Sequence, residues 1–363
     1  MLIIRADGNA VIGMGHVMRC LSIADALKEQ GTQPLFVTAC KECISVIEQR
    51  GFQTRLLTTD YRDMLSELPQ LEQILKEEKK IKKHVILVDS YQVSKAYYQE
   101  LKKLGMTVCL EDMGQPYPVD MLINYNIYGE KLAQVYMTDS ANKPQKMLLG
   151  VTYMPLRKEF LEDSSYTVRE KVTDVMITTG GGDPCFAAKA FTDAVLANKT
   201  LQREKIRYHI ISGPFNSHAD DLKVLYGEVP NVVIHEKVKS MKEIMGQCDI
   251  VLTATGSTIY EVSTLGVPML VFYFAQNQKQ GAEEIEKRTS VINCGDFSID
   301  TKVVTDKAVN TILRCVQDKK YRELLNKEEK MLVDGRGAGR IAEAILAMNE
   351  GEHCDEKGTG KKL

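Results

Sequence analysis

The sequence predicts an α/β protein of two Rossmann-like, doubly wound domains that face a cleft. Three observations carry that expectation. The chain has 363 residues, which suits two domains at about 100–200 residues each. Short apolar runs alternate with amphipathic stretches in each half, the βαβα rhythm that builds a parallel sheet. Between the halves lies a polar break, residues 138–146, and then a connecting segment in which Pro155 stops any helix. The expected division is an N-terminal domain over 1–152, a C-terminal domain over 153–349 and a polar, disordered tail over 350–363.

The elements follow in order. Leu2–Arg5 is a first strand. A helix over His16–Gln30 is predicted because Val17, Met18, Leu21, Ile23, Ala24 and Leu27 recur near helical spacing, and Gly31 ends it. A strand at Leu35–Val37, a helix ending at Gly51 and a weaker strand at Thr54–Leu57 come next. Leu65–Lys83 reads as a charged helix, and residues 84–89 as a buried parallel strand ending in an acid. A helix over Lys95–Leu104 precedes strands at Thr107–Leu110 and Asp120–Asn124. In the second half, strands are expected at 174–179, 207–213, 232–238, 249–254 and 268–274. Helices are expected at Phe186–Asn198, 239–248, 258–266, Asn277–Arg288, Thr305–Lys319 and Ala338–Met348. Ligands of such sheets bind outside the carboxyl ends of the strands.

Composition narrows the function. With 47 basic and 49 acidic residues the formal charge is −2, which argues against a protein that coats nucleic-acid phosphates. Nine cysteines, an odd number, read as reduced, buried thiols of a cytosolic protein. Cys40 and Cys43 have metal-ligand spacing, but no second pair follows at finger-like distance, so no metal is expected. The opening MLIIRADG is a strand rather than a signal peptide. No apolar run approaches the roughly 18 residues of a membrane span. A cytoplasmic monomer is expected, acting on a small molecule, with neither nucleic acid nor membrane as partner and no cofactor.

Three constellations can carry chemistry. The first is Gly13-Met14-Gly15-His16-Val17-Met18-Arg19, between the first strand and first helix. Glycines there allow close ligand approach, and the helix N-terminus favours anions. Among the histidines, His16 alone sits at such a turn. A neutral imidazole there can take a proton from water, or the ring can simply cap or pack the helix. Asp7, just past the first strand, can orient His16, bind a sugar hydroxyl or only shape a turn. Arg19, one helical turn from His16, can face a phosphate or solvent.

The second is Thr178-Thr179-Gly180-Gly181-Gly182-Asp183-Pro184, a bare backbone suited to cradling phosphate. The absence of Lys-Ser or Lys-Thr after it rules out a P-loop. The third is Gly256-Ser257-Thr258 with Glu261 one turn on. Ser257 and Thr258 can donate to a phosphate oxygen and Glu261 can accept ribose hydroxyls, or Thr258 and Glu261 can form a capping box. Gln276 to Gln280, Gln278 among them, add amides within reach of a ligand. Glu111-Asp112 follows a strand, as a carboxylate pair for sugar or base, or as a solvated turn.

The segment RADGNAVIGMGHVMRC resembles the opening of the UDP-2,4-diacetamido-2,4,6-trideoxy-β-L-altropyranose hydrolases of pseudaminic acid biosynthesis. These are MurG-like proteins of the GT-B superfamily, akin to the glycosyltransferase that makes the lipid-linked peptidoglycan disaccharide. VDSYQVS, LEDMG, NYNIYG, LLGVTYMPLRKEF, VMITTGGGDP, ATGSTIYE and LGVP are similar to further family segments in the same order, over about residues 1–345. The resemblance implies a GT-B fold, His16 as general base and Tyr91 in the sugar pocket; Asp7, Gly15 and Arg19, beside His16 in the sequence, are expected to bind the sugar with it. It implies UDP on Gly180, Gly181, Gly182, Gly256, Ser257 and Thr258, with Glu261 at the ribose. Ser90 departs from a frequent histidine, Thr255 from a frequent glycine and Gly182 from a frequent serine. The reaction implied is hydrolysis at the anomeric C1–O bond with inversion. The alternatives are a glycosyltransferase of the same fold and a non-catalytic nucleotide-sugar-binding protein.

Overall fold

β1 (Leu2–Ala6) is buried at every residue, as a parallel strand covered on both faces must be. The computed structural model describes residues 1–77, 84–161 and 166–350. Two sheets are built from the described residues. The first contains β1, β2 (Leu35–Thr38), β3 (Gln53–Leu56), β4 (Val85–Asp89), β5 (Met106–Leu110), β6 (Met121–Asn124) and β7 (Lys146–Leu149), in the order β3-β2-β1-β4-β5-β6-β7. The second contains β8 (Asp174–Thr178), β9 (Arg207–Ile211), β10 (Val232–His235), β11 (Ile250–Ala254), β12 (Met269–Tyr273) and β13 (Ile292–Asp296), in the order β10-β9-β8-β11-β12-β13. All pairings in both sheets are parallel. These are the two Rossmann-like layers that the alternating pattern predicts.

Counted from its own first strand, each sheet runs 3-2-1-4-5-6, and the first adds one strand at its edge. Strand order therefore reverses between β1 and β4, and again between β8 and β11. At such a point the two connecting loops diverge and leave a crevice at the carboxyl ends of the strands. Register places Ala6 beside Asp89 in one sheet and Thr178 beside Thr253 in the other.

The chain divides into two units, Met1–Lys158 with the segment from Arg336, and Glu159–Gly335. The first unit's core joins Ile3, Val37, Ile86, Val88, Tyr97, Tyr98, Leu101 and Leu122. The sequence division gives 153–349 to the C-terminal domain. The structure instead packs the last helix, Gly337–Glu350, on the helix Gly15–Glu29 of the first unit. Its apolar side explains this: Ala338, Ile341, Ala342 and Ile345 are buried. At Gly337 a Cβ would lie 2.2 Å from the Met154 carbonyl oxygen, so only glycine permits the close start.

Two strands and several helices, Ala219–Tyr226 among them, escape the sequence pattern. β7 carries one fully buried residue, Leu148, and its MLLG run is too short to declare a strand. β13 holds Gly295 and an acid at its end, and its register with β12 shifts. The helix expected near Thr305–Lys319 runs over Thr301–Gln317, and an unexpected one, Lys319–Lys330, follows it, because the Asp318 side chain accepts from Tyr321 N and caps a new start. The helix expected over Leu65–Lys83 runs over Leu68–Glu77. Its charged end beyond residue 77 and the tail expected over 350–363, past Glu350, lie outside the described residues.

Candidate active site

The loop after β1 folds on itself before the first helix begins. Asn9 Oδ1 accepts from Val11 N at 2.8 Å and Ile12 N at 3.0 Å, and Gly13 N donates to Asn9 O at 2.9 Å. Gly13 has φ 75°, a left-handed turn that glycine adopts without strain. The helix Gly15–Glu29 then starts with Met14 at its N-cap and no side-chain cap. Gly15 is open around its Cβ position.

His16, the second helical residue, is buried. Its Nδ1 lies 2.6 Å from Asp89 Oδ1, at the end of β4. A carboxylate at that distance makes Nδ1–H the donor to Asp89, so that in the neutral ring the lone pair sits on Nε2. Tyr91 meets the imidazole edge-on, with ring centroids 4.6 Å apart at 79°. His16, Asp89, Tyr91, Asp7, Ile12, Ser90 and Gln92 line a small pocket with room for about one water molecule.

Arg19 lies on the same helix. It grips Asp89 twice, Nε to Oδ2 at 2.5 Å and Nη2 to Oδ1 at 2.5 Å, and Nη2 is 3.0 Å from His16 Nδ1. Its Nη1 donates to Tyr125 Oη at 2.5 Å and to Asp112 Oδ2 at 3.2 Å. Tyr91 Oη donates to that same Asp112 oxygen at 3.0 Å. Burial alone would raise the Asp89 carboxyl, but the Arg19 cation and the His16 contact outweigh it and hold Asp89 well below the usual carboxylate range. Burial pushes the Tyr125 hydroxyl up to about 12, with Arg19 opposing and Asp112 adding to it.

The structure does not bring Asp7 to His16 as its orienting acid. Asp7 Oδ2 accepts from Arg5 Nη1 at 2.6 Å, while Oδ1 accepts from Thr38 Oγ1 at 2.9 Å and Ala39 N at 2.7 Å. Arg5 is held in turn by Glu67, through Nη2 to Oε2 at 2.7 Å, and Tyr97 Oη donates to Glu67 Oε1 at 2.8 Å. Asp7 thus ties β1 to the end of β2 while still lining the pocket. Glu111 is structural too. It accepts from Met113 N at 2.7 Å, Gly114 N at 3.1 Å and Gln115 N at 3.0 Å, and also from Tyr136 Oη, so it shapes the loop that presents Asp112. Cys40 and Cys43 are buried. Among the described residues no group of three or more His, Cys, Asp or Glu side chains is placed to hold a metal ion, and no helix is long and apolar enough to cross a membrane.

Asp89 and Tyr125 join the site without having been singled out in the sequence, whereas Asp112 is one of the two carboxylates the sequence offers for sugar or base. Asp89 had a signal, the acid ending the buried run 84–89. Only strand order, which sets β4 beside β1, turns that signal into a partner for His16.

In the second unit, Gly180–Gly182 leaves β8, and Gly256–Thr258 leaves the adjacent strand β11. Nothing lies within 4 Å of a Cβ built at Gly180, Gly181 or Gly256, and Gly182 has only Phe215 backbone at 3.5 Å. Gly180 has φ 87°. The helix after the triple glycine begins only at Ala187. Its first N–H groups are taken by Asp183, from Ala187 N at 2.7 Å and Ala188 N at 3.0 Å. The bare loop backbone, rather than that helix end, is therefore what remains open.

The helix Thr258–Leu265 has Ser257 at its N-cap with no side-chain cap. Thr258 is already helical, so the Thr258–Glu261 spacing is one residue out of register for a capping box. Ser257 is exposed and Glu261 is buried. Gln278, in the first turn of Gln276–Arg288, accepts through Oε1 from Phe274 N at 3.1 Å and keeps its amide donors.

Two Rossmann-like α/β domains with parallel sheets, as here, are the GT-B fold. Residues 175–341 match the family model described as Glycosyltransferase family 28 C-terminal domain. The chain is similar in fold to a putative UDP-N-acetylglucosamine 2-epimerase from Listeria monocytogenes, at TM-score 0.66, 12% identity and 96% coverage of both chains. It is likewise similar to MurG of Acinetobacter baumannii, at TM-score 0.61, 12% identity and coverage of 96% and 99%.

In sequence it is 26% identical over 298 residues to an uncharacterized protein of Methanocaldococcus jannaschii, covering 78% of this chain and 58% of that protein's length. It is 23% identical over 361 residues to the spore coat polysaccharide biosynthesis protein SpsG of Bacillus subtilis, covering 96% and 98%. It is 23% identical over 298 residues to the UDP-2,4-diacetamido-2,4,6-trideoxy-β-L-altropyranose hydrolase of Campylobacter jejuni, covering 79% and 96%.

Proposed function

We propose that this chain hydrolyses a UDP-linked 2,4-diacetamido-2,4,6-trideoxyhexose at its anomeric C1–O bond, with inversion, releasing UDP and free sugar for pseudaminic acid or a related nonulosonic acid. The observation that carries this reading is the His16–Asp89 pair, which leaves imidazole Nε2 as a base beside a pocket with room for a water. The similarity to the Campylobacter hydrolase supports the substrate class.

In this scheme His16 Nε2 takes a proton from water as the water oxygen attacks C1, and the C1–O bond breaks with its electrons leaving on UDP. The anomeric centre carries oxocarbenium character, as in inverting glycoside hydrolysis. Asp89 keeps the ring in the required tautomer and stabilises the imidazolium formed. The Gly180–Gly182 and Gly256–Thr258 backbones and the Ser257 and Thr258 hydroxyls meet the charge of the leaving diphosphate. Glu261 accepts from the ribose, and Gln278 offers its amide donors to the nucleotide. Tyr91 lines the sugar side.

The test is proton NMR of the purified protein with UDP-2,4-diacetamido-2,4,6-trideoxy-β-L-altrose and no acceptor, with UDP-N-acetylglucosamine as control. His16→Ala and His16→Asn are expected to lower turnover by roughly 10²–10⁴ while UDP still binds. Near-wild-type turnover in these variants would reject His16 as base. A glycosyltransferase remains the second reading, favoured by the family 28 domain match. It requires near silence without an acceptor.

A further inference from the structure

We propose that Arg19 is a positioning residue for His16: it neutralises the Asp89 carboxylate and opposes a resting positive charge on the ring, so that the imidazole meets substrate unprotonated. The inference rests on the reading of His16 as base.

The geometry is a triangle. Asp89 Oδ1 receives both His16 Nδ1, at 2.6 Å, and Arg19 Nη2, at 2.5 Å, and that Nη2 stands 3.0 Å from the same imidazole nitrogen. Arg19 Nε closes on Asp89 Oδ2 at 2.5 Å. A guanidinium has no acceptor, and Nδ1–H already donates to Asp89. The Arg19–His16 approach is therefore a contact between a fixed cation and a ring that becomes a cation on accepting a proton.

The surrounding charges set the sign. Asp89 stands at the end of β4, and Asp112 in the loop after β5 touches Arg19 at 3.2 Å and Tyr91 at 3.0 Å. Tyr91 packs on the ring from the segment after β4, Tyr125 accepts from Arg19 after β6, and the Cys20 thiol lies 3.6 Å from Asp89 Oδ2. Asp7 lines the pocket after β1 but is paired with Arg5. Around the imidazole, Asp89 and Asp112 thus bring two negative charges and Arg19 brings one positive charge. Without that cation, two carboxylates would draw a proton onto His16 before substrate arrived, and a protonated ring is no base. With it, one negative charge is left over, and the proton taken during reaction cancels it.

The sequence leaves Arg19 open to a phosphate, to the sugar or to solvent. The structure directs all of its nitrogens to Asp89, Asp112, Tyr125 and the ring. A bidentate grip is something lysine, a point charge, cannot reproduce, although it restores the sign of the charge.

The test is the pH dependence of UDP release in Arg19→Met and Arg19→Gln, the second guarding against a folding loss in the first, with Arg19→Lys as the conservative rescue. In parallel, proton uptake by the His16 ring is followed by NMR, its signal identified by its loss in His16→Gln. In the neutral variants the acid limb of kcat/KM and the ring's proton uptake should both move up by about 1–2 pH units, with rate recovered at high pH. Arg19→Lys should return both most of the way. Folded neutral variants in which ring and limb stay put, or move down, overturn the proposal. If the wild type releases no UDP, the base reading fails, and ring protonation in the variants still decides the role of Arg19.

Discussion

Replacing Asp89 by asparagine tests how the site is built. Asp89 is buried, holds His16 Nδ1 at 2.6 Å and is gripped by Arg19 through two nitrogens. Asparagine keeps the shape but removes the charge. Its amide nitrogen can also turn toward Nδ1, which would move the ring proton to Nε2 and abolish the base. In Ser-His-Asp enzymes the equivalent change costs a factor of about 10⁴ in kcat, so a fall of roughly 10³–10⁴ in UDP release is expected. Arg19 keeps Asp112 and Tyr125 as partners, yet loses a buried counter-charge, which costs roughly 3–5 kcal/mol when one member of a buried pair is removed.

A pH signature accompanies the loss. The folded Asp89 carboxyl lies below its ordinary value because Arg19 and His16 outweigh burial. A depressed acid contributes stability that is fully present above the unfolded value, about 3.9, and is lost as pH falls through the folded one. Wild type should therefore lose this part of its stability on acidification below about pH 5, and Asp89→Asn should not. The assays are UDP release without acceptor, and urea unfolding followed by circular dichroism between acid and neutral pH. A folded Asp89→Asn protein within tenfold of wild-type turnover would refute the tautomer argument.

Glu67→Gln leaves Arg5 buried with a weakened partner, so it should cost roughly 3–5 kcal/mol in urea unfolding while UDP affinity is unchanged, because Glu67 belongs to the first unit. At Gly181 an added Cβ meets no atom within 4 Å and the backbone is not left-handed, which makes Gly181→Val a usable probe. It should fold as wild type yet weaken UDP binding about tenfold or more, ~1.4 kcal/mol, by calorimetry. An unaltered Kd there would remove the triple glycine from the nucleotide site.

Much of this protein is written locally. Strands such as 84–89 and 249–254 are continuous apolar runs, and the first helix shows its apolar period, so the α/β class and both glycine-bearing loops can be read directly. Edge strands cannot: β7 and β13 bury too little or bend too much to mark themselves. The last helix falls by sequence position into the C-terminal domain but packs in the first unit, since periodicity reveals a buried face without naming what covers it.

The same limit governs the site. His16 and the loops that carry it lie within a few residues of one another and were visible in the sequence. The acid that fixes its tautomer is 73 residues away, and its nearer rival, Asp7, is claimed by Arg5, Thr38 and the Ala39 backbone. Strand order in a parallel sheet is chosen by the packing of whole βα units. That choice sets β4 on the side of β1 opposite β2, and with it which carboxylate faces the imidazole.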